Sequence, residues 1–174
     1  MTKRKQHRAF LALGGNLENP QQAFYRACRT LAEHPQIELR QASSLYRTPA
    51  VGGPSGQPDY LNAVIEIVTE MTAEQLLGFC QQLEAAAGRR REIRWAPRTL
   101  DIDLLFYDNL MINTAELSLP HPRLQERHFV LLPLAEIAPE LRHPQLGAPV
   151  RALLERLPAA AGITRLTEQW IDYD

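Results

Sequence analysis

Residues 99–108, TLDIDLLFYD, alternate like a strand with one buried face, yet two residues on the other face are Asp101 and Asp103. Side chains two apart on a strand share a face. Both carboxylates therefore point the same way, where like charges repel and aspartate is a poor strand former. The arrangement is favourable only if something positive lies between them. Leu100, Ile102, Leu104 and Phe106 fill the opposite face, which predicts a central strand whose acid-bearing face looks into a cleft or onto solvent. Taken without that context, a D-x-D pair is equally two surface acids on an edge strand. Two hard oxygen ligands at a strand end suit Mg²⁺, which takes one or two carboxylates and completes its shell with water and substrate phosphates.

Around this strand the chain reads in a definite order. AFLALG, residues 9–14, is a short buried strand ending at a glycine turn. Asn19 is placed to cap a helix that has Pro20 at its first position and a stripe of Ala23, Ala27 and Leu31, and Pro35 ends it. Residues 37–48 read as a second strand and residues 60–70 as a third, with the Pro- and Gly-dense PAVGGPSGQPD between them. Thr72 and Gln75 form a capping-box pattern, followed by a helical stripe of Leu76, Cys80, Leu83 and Ala87 up to Gly88. The order β-α-β-β-α-β predicts an α+β, ferredoxin-like fold: an antiparallel sheet with both helices on one face. The other face is then free to build a site. Residues 109–174 add short helical patterns and Pro-rich connections.

With 174 residues the chain reads as one domain, 1–174, with a core over about 9–146 and an unassigned tail over 147–174. The net charge of −1 gives no global attraction to nucleic acid or anionic lipid. The basic N-terminus leads into an apolar run too short for a signal peptide or membrane span, so a cytoplasmic protein is expected. Cys28 and Cys80 sit in helical patterns and are expected as reduced core residues.

GRRREIRWAPR, residues 88–98, sets Arg89, Arg90, Arg91, Arg94 and Arg98 against a single Glu92. A charge run is commonly a solvated loop. Here it lies within a dozen residues of two candidate metal ligands, and guanidinium forks bind phosphate bidentately. Carboxylates for Mg²⁺ beside an arginine cluster describe a polyphosphate site, with Arg91 and Arg98 favoured over Arg90. No Walker-type phosphate loop occurs anywhere. In QPDYLNAV, Tyr60 and Asn62 share a strand face and suit a planar heterocycle that stacks and presents hydrogen-bonding edges. The alternative is simply an exposed strand start. Trp95 and Phe129 can add ring faces, and His121, held between two prolines, is either a spacer or a contact to phosphate or base.

These residues resemble a known family. RWAPRTLDIDLL is similar to the R-W-x-P-R-x-x-D-x-D signature of 6-hydroxymethyl-7,8-dihydropterin pyrophosphokinase, an enzyme of folate biosynthesis. LGGNL, SSLYRTPAVGG, QPDYLNAV, GRRREIRW and LPHPRLQERHFVLLPLAEIAPEL follow the family's other blocks in order, over about residues 10–144. The resemblance implies transfer of the β,γ-pyrophosphoryl group of ATP to the pterin's hydroxymethyl oxygen, with release of AMP. It implies that Asp101 and Asp103 bind two Mg²⁺ ions and that Arg89, Arg91 and Arg98 act on the phosphates. Gln81, Glu84, His121 and Arg127 fall on the nucleotide side. Tyr60 and Phe129 sandwich the pterin, Thr48, Pro49, Val51 and Asn62 line its edge, and Trp95 closes over it. The ferredoxin-like fold is also the family's.

Such a transfer needs alignment and charge stabilisation more than a strong base, and the sequence offers metal ligands and arginines rather than an obvious base. Gly52, Gly53, Gly56 and Gly88 allow two loops to move. ATP and 6-hydroxymethyl-7,8-dihydropterin are the expected partners, with no nucleic acid, no membrane and a monomeric chain. The alternative is a ferredoxin-like nucleic-acid-binding module that uses the arginine loop on phosphates. Aspartates on the base-stacking face argue against it. A D-x-D sugar-nucleotide transferase ranks lower, because the chain is short for the domain it needs.

Overall fold

The computed structural model describes residues 4–17, 19–49, 56, 58–88, 99–159, 162–166 and 169–171. Its elements are β1 (His7–Gly15), α1 (Pro20–Glu33), β2 (Ile37–Ala42), β3 (Tyr46–Thr48), β4 (Tyr60–Thr69), α2 (Ala73–Ala86), β5 (Asp101–Tyr107), β6 (Ile112–Asn113) and β7 (Ser118–Leu119). They continue with α3 (His128–Ile137), α4 (Val150–Glu155) and β8 (Thr164–Arg165). The main sheet runs β5-β1-β4-β3-β8, with β2 also paired to β4, and every pairing is antiparallel. Taking β2 and β3 as one broken strand, this is the ferredoxin-like order expected from the sequence.

The two sequence-marked helices begin where their caps say. Asn19 Oδ1 accepts the Gln22 N–H at 3.2 Å, with Pro20 at the first position. Thr72 and Gln75 exchange side-chain-to-backbone bonds of 2.9 and 3.1 Å in a capping box. Gly88, at φ +85°, supplies the left-handed residue just past α2. Phe24, Cys28 and Leu31 of α1 and Leu76, Cys80 and Leu83 of α2 pack with Leu11, Leu13, Ile65 and Ile67 of the sheet. Both helices thus cover one face, and neither cysteine is bonded to the other.

Four expectations need correction. The second strand is broken into β2 and β3 at Ser43. There the Ser43 hydroxyl, rather than its carbonyl, accepts the Val64 N–H at 2.9 Å, while the Ser43 carbonyl turns out to accept from Trp170 Nε1 at 2.8 Å. Next, β5 is not central; it ends the sheet, and its outer edge is covered by the segment after β7, where the His121 N–H donates to the Leu105 carbonyl at 3.0 Å. Phe106, expected opposite the acids, lies on their side. A bulge lets Leu11 face Leu104 and Phe10 face Phe106, so Leu105 is the extra residue and the alternation slips by one. Leu105 and Phe106 accordingly share a core with Phe10, and Tyr107 takes Phe106's place on the helix-covered face.

The fourth correction concerns the second face, which is not wholly free. Val130, Leu131 and Leu134 of α3 and Val150 and Leu153 of α4 close over Phe10, Val64, Leu105 and Phe106. Only the end of that face bearing Asp101, Gly14, Asn62 and Thr48 lies beyond this second core. Residues 162–166 and 169–171, in the tail the sequence left unassigned, are built into the fold: Trp170 and Ile171 join the first core, and the Trp170 ring meets Phe24 edge-on at 6.1 Å. Among the described residues no helix is long and apolar enough to cross a membrane.

Candidate active site

Strand register assembles the candidate residues. Asp101 pairs with Gly14, Gly14 with Asn62, and Asn62 with Tyr46, so these four form one transverse row across β5, β1, β4 and β3. Asp103 and Ala12 lie in the next row toward the second core, and Tyr60 opposite Thr48 in the row beyond Asn62. Glycine in the middle of the row matters. A Cβ at Gly14 would stand 3.4 Å from Asn62 Oδ1, so a hydrogen rather than a side chain lies beside that oxygen. Asp103 is exposed and Asp101 partly so.

Asn62 is buried, and its amide nitrogen donates to Thr48 Oγ1 at 3.0 Å, which fixes how the amide presents its carbonyl oxygen. Glu84 is also buried. Its Oε2 accepts the N–H of Ile102, the residue between the two aspartates, at 3.1 Å. Gln81 is exposed on the same helix.

The segment after β7 lies within electrostatic reach of Asp103. Burial pulls the His121 imidazole below its ordinary range; the charge of Asp103 opposes this, while those of Arg127 and Arg123 reinforce it. Burial likewise lowers Arg127, again with Asp103 opposing, though an arginine stays charged regardless. Arg127 also lies over the Phe129 ring, 5.6 Å from its centroid, and that ring is 37% exposed. His121 further lines an open cavity of about 590 Å³ with Met111, Ser118, Gln125 and Leu146; neither aspartate borders it.

The donor chemistry of the acid pair fits Mg²⁺: two carboxylates on one face at a strand start. Among the described residues no group of three or more His, Cys, Asp or Glu is gathered to enclose a metal. Cys28 and Cys80 offer no thiolate, because burial pushes both up to about 12.

Residues 10–139 match the model of the 7,8-dihydro-6-hydroxymethylpterin-pyrophosphokinase (HPPK) family. Proteins named 2-amino-4-hydroxy-6-hydroxymethyldihydropteridine pyrophosphokinase align over most of their length. That of Haemophilus influenzae is 37% identical over 165 residues, covering 95% of this chain and 94% of the relative. That of Methylorubrum extorquens is 46% identical over 134 residues, covering 77% and 84%. The chain belongs to the HPPK family.

As a family member it is an ATP-dependent pyrophosphokinase of folate biosynthesis, and the family match selects the enzymatic reading over a nucleic-acid-binding module. The HPPK-DHPS of Plasmodium falciparum, solved with pteroate, superposes with a TM-score of 0.69 over 90% of this chain and 43% of that one. At 15% identity this speaks to the HPPK fold alone.

Of the residues singled out from the sequence, the register brings Asp101, Asp103, Asn62, Tyr60 and Thr48 onto one face, and the loop charges bring His121 and Arg127 to Asp103. Pro49 follows β3 directly and is exposed. Arg89, Arg91, Arg98, Trp95 and Val51 lie outside the described residues. Sequence reasoning passed over three residues. Arg123 sits two positions after His121 in the same block. Gly14 reads from the sequence only as a turn. Buried Asn16 donates to the Pro58 carbonyl at 3.1 Å, tying the end of β1 to the approach to β4. The signal for Asn16 was its place after the GG pair, but its partner is forty-two residues away and invisible to local pattern.

Proposed function

We propose that the face carrying Asp101 and Asp103 aligns ATP with 6-hydroxymethyl-7,8-dihydropterin, and that the two aspartates hold the two Mg²⁺ ions that accompany the nucleotide. The single observation behind this reading is the row Asp101–Gly14–Asn62, which sets the acid pair and a hydrogen-bonded amide on one face with only a glycine between them. Bound there, Mg²⁺ supplies neutralisation of the phosphate oxygens and of the charge that develops on the leaving AMP.

The chain's own side chains do the rest. Asn62, its amide nitrogen engaged on Thr48, turns its carbonyl oxygen to an N–H of the pterin ring. Tyr60 and Phe129 take the two faces of the heterocycle, Thr48, Pro49 and Val51 border its edge, and Trp95 covers it. His121 and Arg127, with Gln81 and Glu84 on α2, serve the nucleotide. Arg89, Arg91 and Arg98 bind the phosphates and shed water as they close. Such a site aligns the hydroxymethyl oxygen with the β-phosphorus and needs no strong base. The enzyme acts as a monomer in the cytoplasm.

The test uses purified protein, ATP, Mg²⁺ and hydroxymethyldihydropterin, with separation of the nucleotide products. AMP formed one-for-one with pterin diphosphate is expected. The Asp103→Ala enzyme should lose on the order of 10²–10³-fold or more in turnover, the range seen when one stabilising group is removed, while its thermal melt stays close to wild type because Asp103 is exposed. Turnover retained within a few-fold would overturn the metal assignment, and ADP as product would overturn the reaction.

A further inference from the structure

The C-terminal segment lies outside the family match, which ends at residue 139, yet it clasps the strand that leads into the pterin-lining loop. Strand β8 pairs with β3, Arg165 opposite Tyr46 and Thr164 opposite Arg47. The Leu166 N–H donates to the Leu45 carbonyl at 2.8 Å, and Trp170 Nε1 donates to the Ser43 carbonyl. Residues 43–48 are thus held by β4 on one side and by the tail on the other.

Two contacts make this more than an added edge strand. Glu136 of α3 gathers the Tyr46 hydroxyl at 2.8 Å, the Ser44 N–H at 2.9 Å and Arg165 Nη2 at 3.4 Å, and Arg165 Nε donates to Ser44 Oγ at 3.2 Å. Arg165 therefore closes a cluster joining α3, the start of β3 and the tail. Gly162, at φ +78°, passes so close to Pro49 that a Cβ there would stand 3.3 Å from the ring's Cγ and 3.4 Å from its Cδ. Pro49 is the residue between buried Thr48 and the loop, and it has no N–H with which to hold itself in a ladder.

We propose that segment 162–166 is a positioning element for the pterin edge of the site, with Arg165 fixing the height of β3 and Gly162 seating Pro49. This rests on the reading that Thr48, Pro49 and Asn62 border the pterin. Segment 162–166 acts on pterin binding and leaves the Asp101–Asp103 side untouched, since its contacts among the described residues, to residues 44–49 and Glu136, lie at the edge of the sheet opposite β5. Arg165 and Gly162 touch no reacting atom; they act through Thr48 and Pro49.

Deleting the tail would also remove Trp170 and Ile171 from the core and so destabilise the fold, so the test uses point variants. Arg165→Ala, Arg165→Lys and Gly162→Val are made beside Asn62→Ala, and each is checked by thermal melt. The pterin KM and the dissociation constant for ATP with Mg²⁺, measured without pterin, are compared. Arg165→Ala and Gly162→Val should raise the pterin KM about fivefold or more, the effect of a small misplacement of a positioning group. ATP affinity should stay within about twofold in both, and Arg165→Lys should recover most of the loss. An unchanged pterin KM in the folded variants, or ATP affinity falling in proportion with it, overturns the proposal. If Asn62→Ala raises the pterin KM and the tail variants do not, only the tail's role falls. If Asn62→Ala is also silent, the pterin site itself is misplaced and both readings fall.

Discussion

Glu84 Oε2 accepts the backbone N–H of Ile102 at 3.1 Å, so a buried carboxylate on α2 holds the peptide between the two aspartates. A charged acceptor is a strong partner for a backbone N–H, and this one sets where β5 begins. Replacing Glu84 by Ala leaves that buried N–H without its acceptor, at a cost of about 1–3 kcal/mol. Glu84→Gln keeps a carbonyl oxygen in place and should retain most of the stability. Thermal melts and turnover of the two variants check this: the Ala variant should lose both, and an Ala melt equal to wild type would show the tie to be idle.

Cys28 and Cys80 are fully covered, and burial alone is the leading cause that pushes each thiol up to about 12. At pH 8 only about one thiol in ten thousand would be thiolate, the reactive form. Iodoacetamide should therefore leave the folded protein unlabelled over hours and modify both residues within minutes in urea, as mass spectrometry would report. Rapid labelling of either residue without denaturant would contradict the packing of α1 and α2 on the sheet.

Signals that act over a few residues were readable before any coordinates. Asn19-Pro20 and the Thr72–Gln75 box fixed two helix starts, a short apolar run before a glycine turn marked β1, and period-two alternation placed β4 and β5 well enough to yield the fold and to align Asp101 with Asp103. Tertiary competition hid the rest. The break at Ser43 exists because its hydroxyl replaces its carbonyl in the ladder while Trp170, 127 residues away, takes the carbonyl. The bulge at Leu105 moves Phe106 across the sheet, and only packing against α3 and α4 rewards that. A buried edge strand reads like a central one when a later segment covers it, as Leu119–His121 does for β5.

His143 gives the fold a pH dependence of known sign. Its Nδ1 accepts the N–H groups of Gln145 and Leu146 at 3.2 and 3.1 Å, its ring meets Phe106 edge-on at 5.7 Å, and burial holds it below its ordinary range. The unfolded chain, with an ordinary histidine near 6.5, takes up the proton first. Stability contributed by the neutral ring is thus present above that pH and is lost as pH falls toward the depressed folded value, by about 1.4 kcal/mol per unit of depression. His143→Asn keeps a side-chain acceptor for the turn without titrating. Melting temperatures between pH 7 and 5 should fall more steeply for wild type than for the variant. Parallel curves would mean that His143 contributes nothing to the slope.

Gly14 offers the most direct probe of the row that runs from Asp101 to Asn62. An alanine methyl would stand at ordinary contact distance from Asn62 Oδ1, 3.4 Å, so the strand accepts it. Removing the glycine's freedom in the unfolded chain should even stabilise the protein, by about 0.4–1 kcal/mol. Function should move the other way, because the methyl covers the oxygen proposed to receive the pterin. The pterin KM is expected to rise from wild type to Gly14→Ala to Gly14→Val, with melting temperatures level or higher for the alanine variant. That opposition, a tighter fold with a poorer substrate site, is what an open cradle predicts and a mere turn does not. If Gly14→Val folds and binds pterin as wild type does, the space above Gly14 is not where the substrate lies.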